Sequence, residues 1–200
     1  MTDPRQHAPA TQRNRDAILA VLRAILPSAG LVLEVASGSG EHVIHFARHL
    51  PDLTFQPTDP TVESLRSVAA WVASGNVPNV LPPFWLETLA QPWPVAAVDA
   101  VICINMIHIA PWAAAEGLMT GAASVLAPGA PLYLYGPYQR DGRHTSESNR
   151  DFDRQLQERN PAWGVRDLDL VADLARAAGF STPAVTAMPA NNLSVVFRRL

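Results

Sequence analysis

Short apolar runs alternate along this chain with amphipathic segments, and this alternation is the feature that most limits its fold. Between the runs, apolar residues recur at helical spacing over 41–49, 61–73 and 112–126. Strands and helices in alternation predict a parallel sheet with helices on both faces. The strand-like runs lie at 31–35, 53–57, 80–86, 98–104 and 131–135.

The end of the chain departs from this alternation. An amphipathic helix follows Asp167, whose side chain suits an N-cap, and Gly179 ends it. Two strand-like runs, 183–188 and 193–199, come next, with only residues 189–192 between them. A connection this short permits an antiparallel hairpin and excludes a helical crossover. We therefore predict an α/β fold in which a mostly parallel sheet ends in a C-terminal antiparallel hairpin.

Length and charge restrict the classes of function. The 200 residues fit a single domain, 1–200, and a net charge of −3 without any Lys/Arg run argues against binding to nucleic acid. No apolar window is long enough to span a bilayer, and the polar start has no signal-peptide core. The single cysteine, Cys103, lies in an apolar run, which predicts a core residue in a reducing compartment. We expect a cytoplasmic protein that binds a small molecule, with neither a nucleic acid nor a membrane as partner.

The turn after the first strand, LVLEVASGSGEH, places the carboxylate of Glu34 where parallel sheets bind ligands. A dinucleotide-binding fingerprint needs a third glycine at the position of Val43. In addition, Glu34 would lie close to a pyrophosphate and repel it. Both observations speak against an NAD(P)-dependent oxidoreductase.

S-adenosylmethionine suits the same turn better, because it carries no phosphate and has two cationic groups, an ammonium and a sulfonium. Glu34 would then attract the ligand, and small residues would let the backbone approach it. Free N–H groups at the start of helix 41–49 can meet its carboxylate. The predicted cofactor contacts in this turn are Glu34, Ala36, Gly38, Ser39, Gly40 and His42.

The stretch EVASGSG resembles motif I of the class I methyltransferases, with Ala36 where the first of three alternating glycines usually stands. This resemblance implies a Rossmann-like class I methyltransferase fold with a seven-stranded sheet. An acid at the position of Asp59 also serves NAD enzymes, so it does not discriminate between the two classes. By the resemblance, the further cofactor contacts are Asp59 at the ribose, Leu86 and Glu87 at the adenine, and Asn105 and Met106 beside the methyl group.

The whole chain is similar to one narrower group, the family of domain of unknown function 938, which includes methyltransferase-like protein 26. The similar pieces span nearly all of the sequence: QRNRDAIL, LEVASGSGEHVIHFA, FQPTDP, INMIHIAPW, LYGPY and HTSESNRDFDRQLQERNPAWGVRDL. Membership would imply S-adenosylmethionine binding, but it carries no substrate with it.

Two polar regions are expected to bind the methyl acceptor. Residues 136–166 are long for a crossover and rich in hydrogen-bonding side chains, which is typical of a substrate lid. Residues 1–30 form an N-terminal arm and a helix that ends before Gly30. The predicted acceptor contacts are Asn149 and Asp153 from the lid, with Arg13 and Asn14 from the arm.

Methyl transfer needs no enzyme nucleophile, but a protonated acceptor needs a base. His108 is the leading base because it follows the strand end at Asn105 and titrates near neutral pH. Tyr138 and His144 are the other two catalytic residues proposed. The set His42, His45 and His49 shares a helical face but lacks the H-E-x-x-H order, so no metal site is predicted.

Three functions remain open from the sequence. The favoured one is an S-adenosylmethionine-dependent methyltransferase that acts on a small-molecule acceptor. The second is a noncatalytic S-adenosylmethionine-binding or interaction protein on the same fold. The third, disfavoured by the broken third glycine, is the NAD(P)-dependent oxidoreductase.

Overall fold

One mixed sheet organises the fold of residues 3–200, the part of the chain that the computed structural model describes. Its strands are β1 Gly30–Val35, β2 Leu53–Asp59, β3 Phe84–Trp85, β4 Ala100–Ile104, β5 Pro131–Arg140, β6 Arg143–His144, β7 Arg166–Asp167, β8 Ala184–Met188 and β9 Asn192–Arg198. Seven of them lie side by side in the order β3-β2-β1-β4-β5-β9-β8. The two short strands β6 and β7 pair with the end of β5.

The pairing confirms the predicted mostly parallel sheet with its antiparallel hairpin. Strands β1 to β5 of the main path are parallel to one another, β9 is antiparallel to β5, and β8 is antiparallel to β9. The chain runs outward from β1 to β3 and then returns to β4 on the other side of β1. The carboxyl ends of β1 and β4 therefore border the crevice where such sheets bind ligands.

Helices cover both faces of the sheet. They are α1 Pro9–Ile25, α2 Glu41–His49, α3 Val62–Gly75, α4 Trp112–Val125, α5 Glu147–Arg159 and α6 Leu168–Ala177. Apolar side chains of α1, α2 and α3 pack on one face, and those of α4 and α6 pack on the other. Cys103 is buried in the second of these layers, as predicted. No helix within residues 3–200 is long and apolar enough to cross a membrane.

The third strand is much shorter than the predicted run 80–86. Val80 makes one isolated bridge to Phe55, and regular pairing is confined to Phe84 and Trp85. The two residues before the strand are prolines, which have no N–H to donate to a neighbouring strand. The sequence therefore predicted this strand in the right place but made it too long.

The fifth strand is longer than predicted. It continues through Gly136 to Arg140, paired with β9 as far as Pro137 and with β6 and β7 beyond it. The predicted lid 136–166 is therefore wrong at its start, because the first residues belong to the sheet. The part between β5 and β7, residues 141–165, which includes the short strand β6, is called the covering segment below. Its helix α5 begins at Glu147, with Ser146 as N-cap.

The N-terminal region is more helical than the predicted arm. Helix α1 begins at Pro9, where a missing N–H costs nothing, so Arg13 and Asn14 lie in a helix. Asn14 lies on the buried face of α1, whereas Arg13 lies on its exposed face.

Candidate functional site

A cavity of about 410 Å³ lies at the carboxyl ends of β1, β2 and β4. Pockets for small molecules typically enclose about 300–1,000 Å³. Its walls are largely apolar, and they come from the glycine turn, the start of α3, the segment after β3 and the start of α4. Six of the predicted cofactor residues line it: Ala36, Gly38, Asp59, Leu86, Glu87 and Met106.

The two glycines of the turn, Gly38 and Gly40, have different structural roles. Gly38 lines the cavity with a φ of +56°, and an added Cβ would meet nothing within 4 Å in the described structure. Gly40 has a φ of +89°, and a Cβ there would lie 2.9 Å from the Cα of Val68 in α3. Gly38 thus leaves room on the cavity side, whereas Gly40 permits α2 and α3 to pack closely. Gly40 does not line the cavity.

Ala36 stands in a backbone conformation that favours glycine. Its φ is +57°, and it lines the cavity. A left-handed conformation costs an L-residue about 1–2 kcal/mol, so this strain is held by the surrounding structure. The alanine therefore replaces the usual glycine without changing the path of the turn.

Glu34, a predicted cofactor contact, does not line the cavity itself, but it directly precedes Val35 and Ala36, which do. Its side chain is 2% exposed, and its Oε2 atom has no hydrogen-bond partner within residues 3–200. Burial raises the pKa of this carboxyl to about 7, and the charge of Asp59 adds to the effect. A buried carboxyl without a partner is stabilised by any cation that reaches it.

Asp59 joins the glycine turn to the start of α3. Its Oδ2 accepts the N–H of Gly38 at 3.0 Å, and its Oδ1 accepts the N–H and the hydroxyl of Thr61, both at 2.9 Å. Thr61, not Asp59, is the N-cap of α3. The carboxylate lines the cavity, and Oδ2, which accepts one hydrogen bond, retains a second lone pair for a ligand hydroxyl.

The backbone donors of the turn are already used within the protein. The N–H of Ser37 donates to the carbonyl of Thr58 at 2.8 Å, and that of Gly40 donates to the carbonyl of Ser37 at 3.1 Å. With Gly38 bound to Asp59, the turn offers few donors to a phosphate.

Ser39 and His42, both predicted cofactor contacts, lie outside the cavity lining. The Ser39 hydroxyl donates to the Glu41 carboxylate at 3.1 Å. His42 Nε2 lies 2.8 Å from Oδ1 of Asn14, and burial lowers the pKa of this histidine to about 3. His42 is therefore neutral and tied to α1.

The segment after β4 begins with a strained residue. Asn105 has a φ of +62°, which turns the chain at the strand end into a short 3₁₀ helix. Its neighbours Ile104 and Met106 line the cavity, and Asn105 itself does not. Further along, Ile109, Ala110 and Pro111 form a wall that the sequence reasoning missed. Their position directly after a parallel strand was the signal that could have found them.

His108, the leading predicted base, is enclosed. It is 1% exposed, and its Nε2 has no hydrogen-bond partner in the described part of the chain. The ring lies against Gly136, where an added Cβ would be 2.3 Å from Nε2. Burial lowers the pKa of His108 to about 3, which makes the neutral ring a weak base. His108 does not line the cavity.

Of the other two predicted catalytic residues, Tyr138 contacts His108, and His144 belongs to the covering segment. The ring of Tyr138 meets that of His108 edge-on, with centroids 5.1 Å apart, and burial raises the pKa of the phenol. Nε2 of His144 lies 3.4 Å from Oδ2 of Asp153. The structure thus brings Tyr138 against His108 and His144 beside Asp153, and none of the three lines the cavity.

The predicted acceptor residues of the covering segment hold that segment in place. The amide of Asn149 donates to the carbonyl of Asn191 at 2.9 Å. Oδ1 of Asp153 accepts the N–H of Val165 at 2.6 Å. Both side chains are buried by these contacts, so their role in acceptor binding stays a prediction.

Arg166 locks the end of the covering segment to the loop after β4. Its guanidinium donates to the carbonyls of Ile107 at 2.9 Å, Ala110 at 2.7 Å and Ala162 at 2.8 Å. It also lies 5.8 Å from the centroid of the Trp112 ring. No pattern in the sequence distinguishes this arginine from the others.

The histidines on α2 have individual partners. Nε2 of His45 lies 3.0 Å from Oδ1 of Asp16, and the ring of His49 contacts the carbonyl of His45. Across residues 3–200, no group of three His, Cys, Asp or Glu side chains is placed to hold a metal ion.

Comparison with solved structures identifies the fold. The chain is similar to an O-methyltransferase family protein from Burkholderia thailandensis, with a TM-score of 0.81 and 20% identity over 95% of this chain and 57% of that one. It is also similar to a putative O-methyltransferase from Nostoc punctiforme, with a TM-score of 0.82 and 17% identity over 96% of this chain and 57% of that one. A third similar structure is that of human N-acetylserotonin methyltransferase in complex with S-adenosylmethionine. Its TM-score is 0.74, with 15% identity over 95% of this chain and 52% of that one. The chain spans a little over half the length of these proteins.

These matches show the Rossmann-like fold of S-adenosylmethionine-dependent methyltransferases, confirming the predicted fold class. At the level of the family, residues 5–199 match the model described as "Protein of unknown function (DUF938)". Since the match covers nearly the whole sequence, this chain belongs to the DUF938 family.

Proposed function

We propose that this protein is an S-adenosylmethionine-dependent methyltransferase that acts on a small-molecule acceptor. The observation that carries the proposal is the buried carboxyl of Glu34, whose Oε2 has no hydrogen-bond partner in the described residues and which directly precedes the cavity-lining Val35 and Ala36. The ammonium group of S-adenosylmethionine, a ligand without phosphate, would satisfy this carboxyl. The structural relatives support the same ligand, since they are named as methyltransferases. That the family is the one of methyltransferase-like protein 26 stays a prediction from the sequence.

The residues present fit this cofactor. Glu34 would bind the ammonium, and Oδ2 of Asp59 would accept a hydrogen bond from a ribose hydroxyl with its remaining lone pair. The N-cap of α2 is Gly40, which has no side chain to cap the helix, and among the described residues Ser39 Oγ accepts only the N–H of Glu41, at 3.3 Å; other backbone N–H groups of the first turn are left for the carboxylate. Leu86 and Glu87 line the region proposed for the adenine. When bound, S-adenosylmethionine supplies an activated methyl group on a sulfonium.

The chain's own contribution is alignment and exclusion of water. Met106 and its neighbours give the cavity an apolar wall beside the strand end at Asn105. The covering segment closes the side of the cleft next to β5. Holding the acceptor in line with the methyl group in a dry site supplies most of what this reaction needs from a protein.

We infer that His108 contacts the acceptor through a neutral ring when the covering segment opens. With a pKa near 3, it would act as a hydrogen-bonding partner that orients the acceptor, not as a proton store. Tyr138 and His144 lie in the same region and are proposed for the same role. Arg13 and Asn14 in α1, with Asn149 and Asp153, remain the proposed acceptor contacts.

Calorimetry tests the cofactor assignment. We expect S-adenosylhomocysteine, which retains the ammonium, to bind the wild type and to bind Glu34→Gln at least about 10-fold more weakly, the loss expected for a buried charged partner. Asp52→Asn, which changes an exposed carboxylate, should bind like the wild type. Binding of NADH without binding of S-adenosylhomocysteine would reject the proposal.

One observation favours a second candidate, a noncatalytic S-adenosylmethionine-binding protein. His108 is enclosed by the covering segment and by Gly136, so the acceptor side is closed. Incubation with a metabolite pool distinguishes the two functions. Enzyme-dependent formation of S-adenosylhomocysteine supports the methyltransferase, and tight binding without turnover supports the second candidate. The nicotinamide oxidoreductase is disfavoured because the turn's N–H groups are bound internally.

A further inference from the structure

Residues 3–8, the N-terminal strap, lie across α3 before α1 begins. The indole N–H of Trp71 donates to the carbonyl of Gln6 at 3.1 Å, and the guanidinium of Arg5 lies 5.1 Å from the centroid of the same ring. The edge of the His7 ring also contacts Trp71, with centroids 5.2 Å apart. One tryptophan on α3 thus anchors three consecutive residues of the strap.

Two hydrogen-bonded paths lead from the strap to the centre of the glycine turn. In the first, the N–H of Gln6 donates to Oγ of Ser67 at 2.8 Å, and the Ser67 hydroxyl donates to the carbonyl of Ser39 at 2.6 Å. In the second, the N–H of Ala8 donates to Oε2 of Glu41 at 2.6 Å, and the Ser39 hydroxyl donates to the same oxygen at 3.1 Å. The strap therefore holds the carbonyl and the hydroxyl of Ser39.

The two relay residues are buried, so these bonds are shielded from water. Ser67 is 0% exposed and Glu41 is 7% exposed. Glu41 also lies 3.4 Å from Nδ1 of His7, which adds a second strap contact. Hydrogen bonds in such surroundings keep more of their strength than exposed ones, particularly when the acceptor is charged.

Ser39 is the residue whose position decides the shape of the turn. It lies between Gly38 and Gly40, and both glycines have positive φ angles and intrinsically wide conformational freedom. Gly38 forms part of the cavity wall, so a shift of Ser39 would move that wall. A turn with a glycine on each side needs contacts from elsewhere to keep one conformation.

We propose that Glu41 and Ser67 are positioning residues of the cofactor site and that the N-terminal strap belongs to this site. The strap holds Ser39, and through it Gly38, in the conformation that receives the cofactor. Glu41 thus binds the strap, whereas Glu34 would bind the ammonium of the ligand. Because coupling is reciprocal, cofactor binding will in turn stabilise the strap on α3. This inference rests on the proposed function for the identity of the ligand.

Calorimetry with S-adenosylhomocysteine measures the effect on binding. Glu41→Gln and Ser67→Ala should each weaken binding about 3- to 10-fold, the range expected for one buried hydrogen bond. Glu63→Gln and Ser124→Ala, the same changes away from the strap, should leave it unchanged. Removing residues 3–8 should weaken binding as well, and Glu41→Gln should then add little. A full additional loss in the shortened protein would show that Glu41 acts on the ligand directly and would overturn the proposal.

Hydrogen exchange without ligand separates this inference from the proposed function. Peptides covering residues 36–41 should exchange faster in Ser67→Ala and Glu41→Gln than in the wild type, and those of α6 should not change. Absence of S-adenosylhomocysteine binding in the wild type rejects the proposed ligand but leaves this readout intact. Unchanged exchange in the turn, or wild-type binding matched by both variants, overturns the strap inference.

Discussion

The two halves of the cleft are built in opposite ways. The cofactor half, at the ends of β1, β2 and β4, contains an open cavity next to a polar group without a partner, Glu34. The other half, at the ends of β4 and β5, is filled by the chain itself, with His108 against Gly136 under the covering segment. We call it the acceptor half. The comparison suggests a site prepared for its cofactor and closed to its acceptor.

The hydrogen bonds of the two halves explain this contrast. In the cofactor half, short bonds from Asp59 and Thr61 brace the walls and leave the space between them free. In the acceptor half, Arg166 ties the end of the covering segment to the loop after β4, and Asp153 braces the segment internally by accepting the N–H of Val165. Opening that half requires breaking these bonds, so under the proposed function access of the acceptor would depend on a conformational change.

The largest expected effect concerns Glu34 and changes with pH. Its folded-state pKa of about 7 lies above the ordinary value of 4.5, so the folded state binds the proton more tightly than the unfolded state. The stability this gives is complete below pH 4.5 and is lost as the pH rises through 7. Glu34→Gln should therefore be more stable than the wild type at pH 8, by up to about 3 kcal/mol, with the difference disappearing near pH 4.5.

Urea unfolding at several pH values measures this difference, and Asp52→Asn is the control. Binding should change in the opposite sense, because only the deprotonated carboxylate attracts the ligand's ammonium. Affinity for S-adenosylmethionine should rise with pH and level off above about 7. A stability difference that is constant across pH would mean that Glu34 is not the buried titrating group, and the comparison would lose its electrostatic basis.

The next effect tests how completely the acceptor half is filled. In Gly136→Ala the new Cβ would lie 2.3 Å from Nε2 of His108, so the ring must move. Overpacking of this kind costs about 1–3 kcal/mol in the free energy of unfolding. The change should be relieved in the double variant with His108→Ala, in which the ring is absent. Equal cost with and without the ring would show that the two residues are not in contact.

Much of the cofactor half was predictable because its signals are local. The apolar run before Glu34, the small residues of the turn and the acid at Asp59 follow one another closely along the chain. The helix α2 and the hairpin were placed correctly for the same reason, since periodicity and turn length fix both. The exception is β3, where two prolines shorten a run that composition alone marks as a strand.

The acceptor half was less predictable because its contacts join distant residues. Arg166 reaches the carbonyl of Ile107, and the Asn149 amide reaches Asn191. The burial of His108 depends on a glycine in another strand. Sequence patterns report which face of an element is apolar, and they do not report which polar side chain ends opposite which carbonyl.

A smaller effect on stability, with a large one on binding, is expected for the cofactor half. In Gly38→Ala the Cβ meets no described atom within 4 Å, so only the positive φ is costly, by about 1 kcal/mol. The same methyl group projects beside the cavity and should weaken S-adenosylhomocysteine binding at least about 10-fold. Gly129→Ala, with a φ of +85° and no neighbour within 4 Å in residues 3–200, controls for the backbone strain. Unchanged binding would place the ligand away from this turn.

The smallest effect is expected for Tyr138→Phe, and it is the one that sharpens the comparison most. The phenol oxygen is buried without a hydrogen-bond partner in the described structure, so its removal should raise the free energy of unfolding, by about 1 kcal/mol. If the hydroxyl only fills space, turnover will be unchanged. If the covering segment opens to let an acceptor bind there, turnover will fall although the protein is more stable. A variant that is more stable but turns over more slowly would show that the Tyr138 hydroxyl is left unsatisfied in order to bind the acceptor. Glu34 would be the corresponding group for the cofactor.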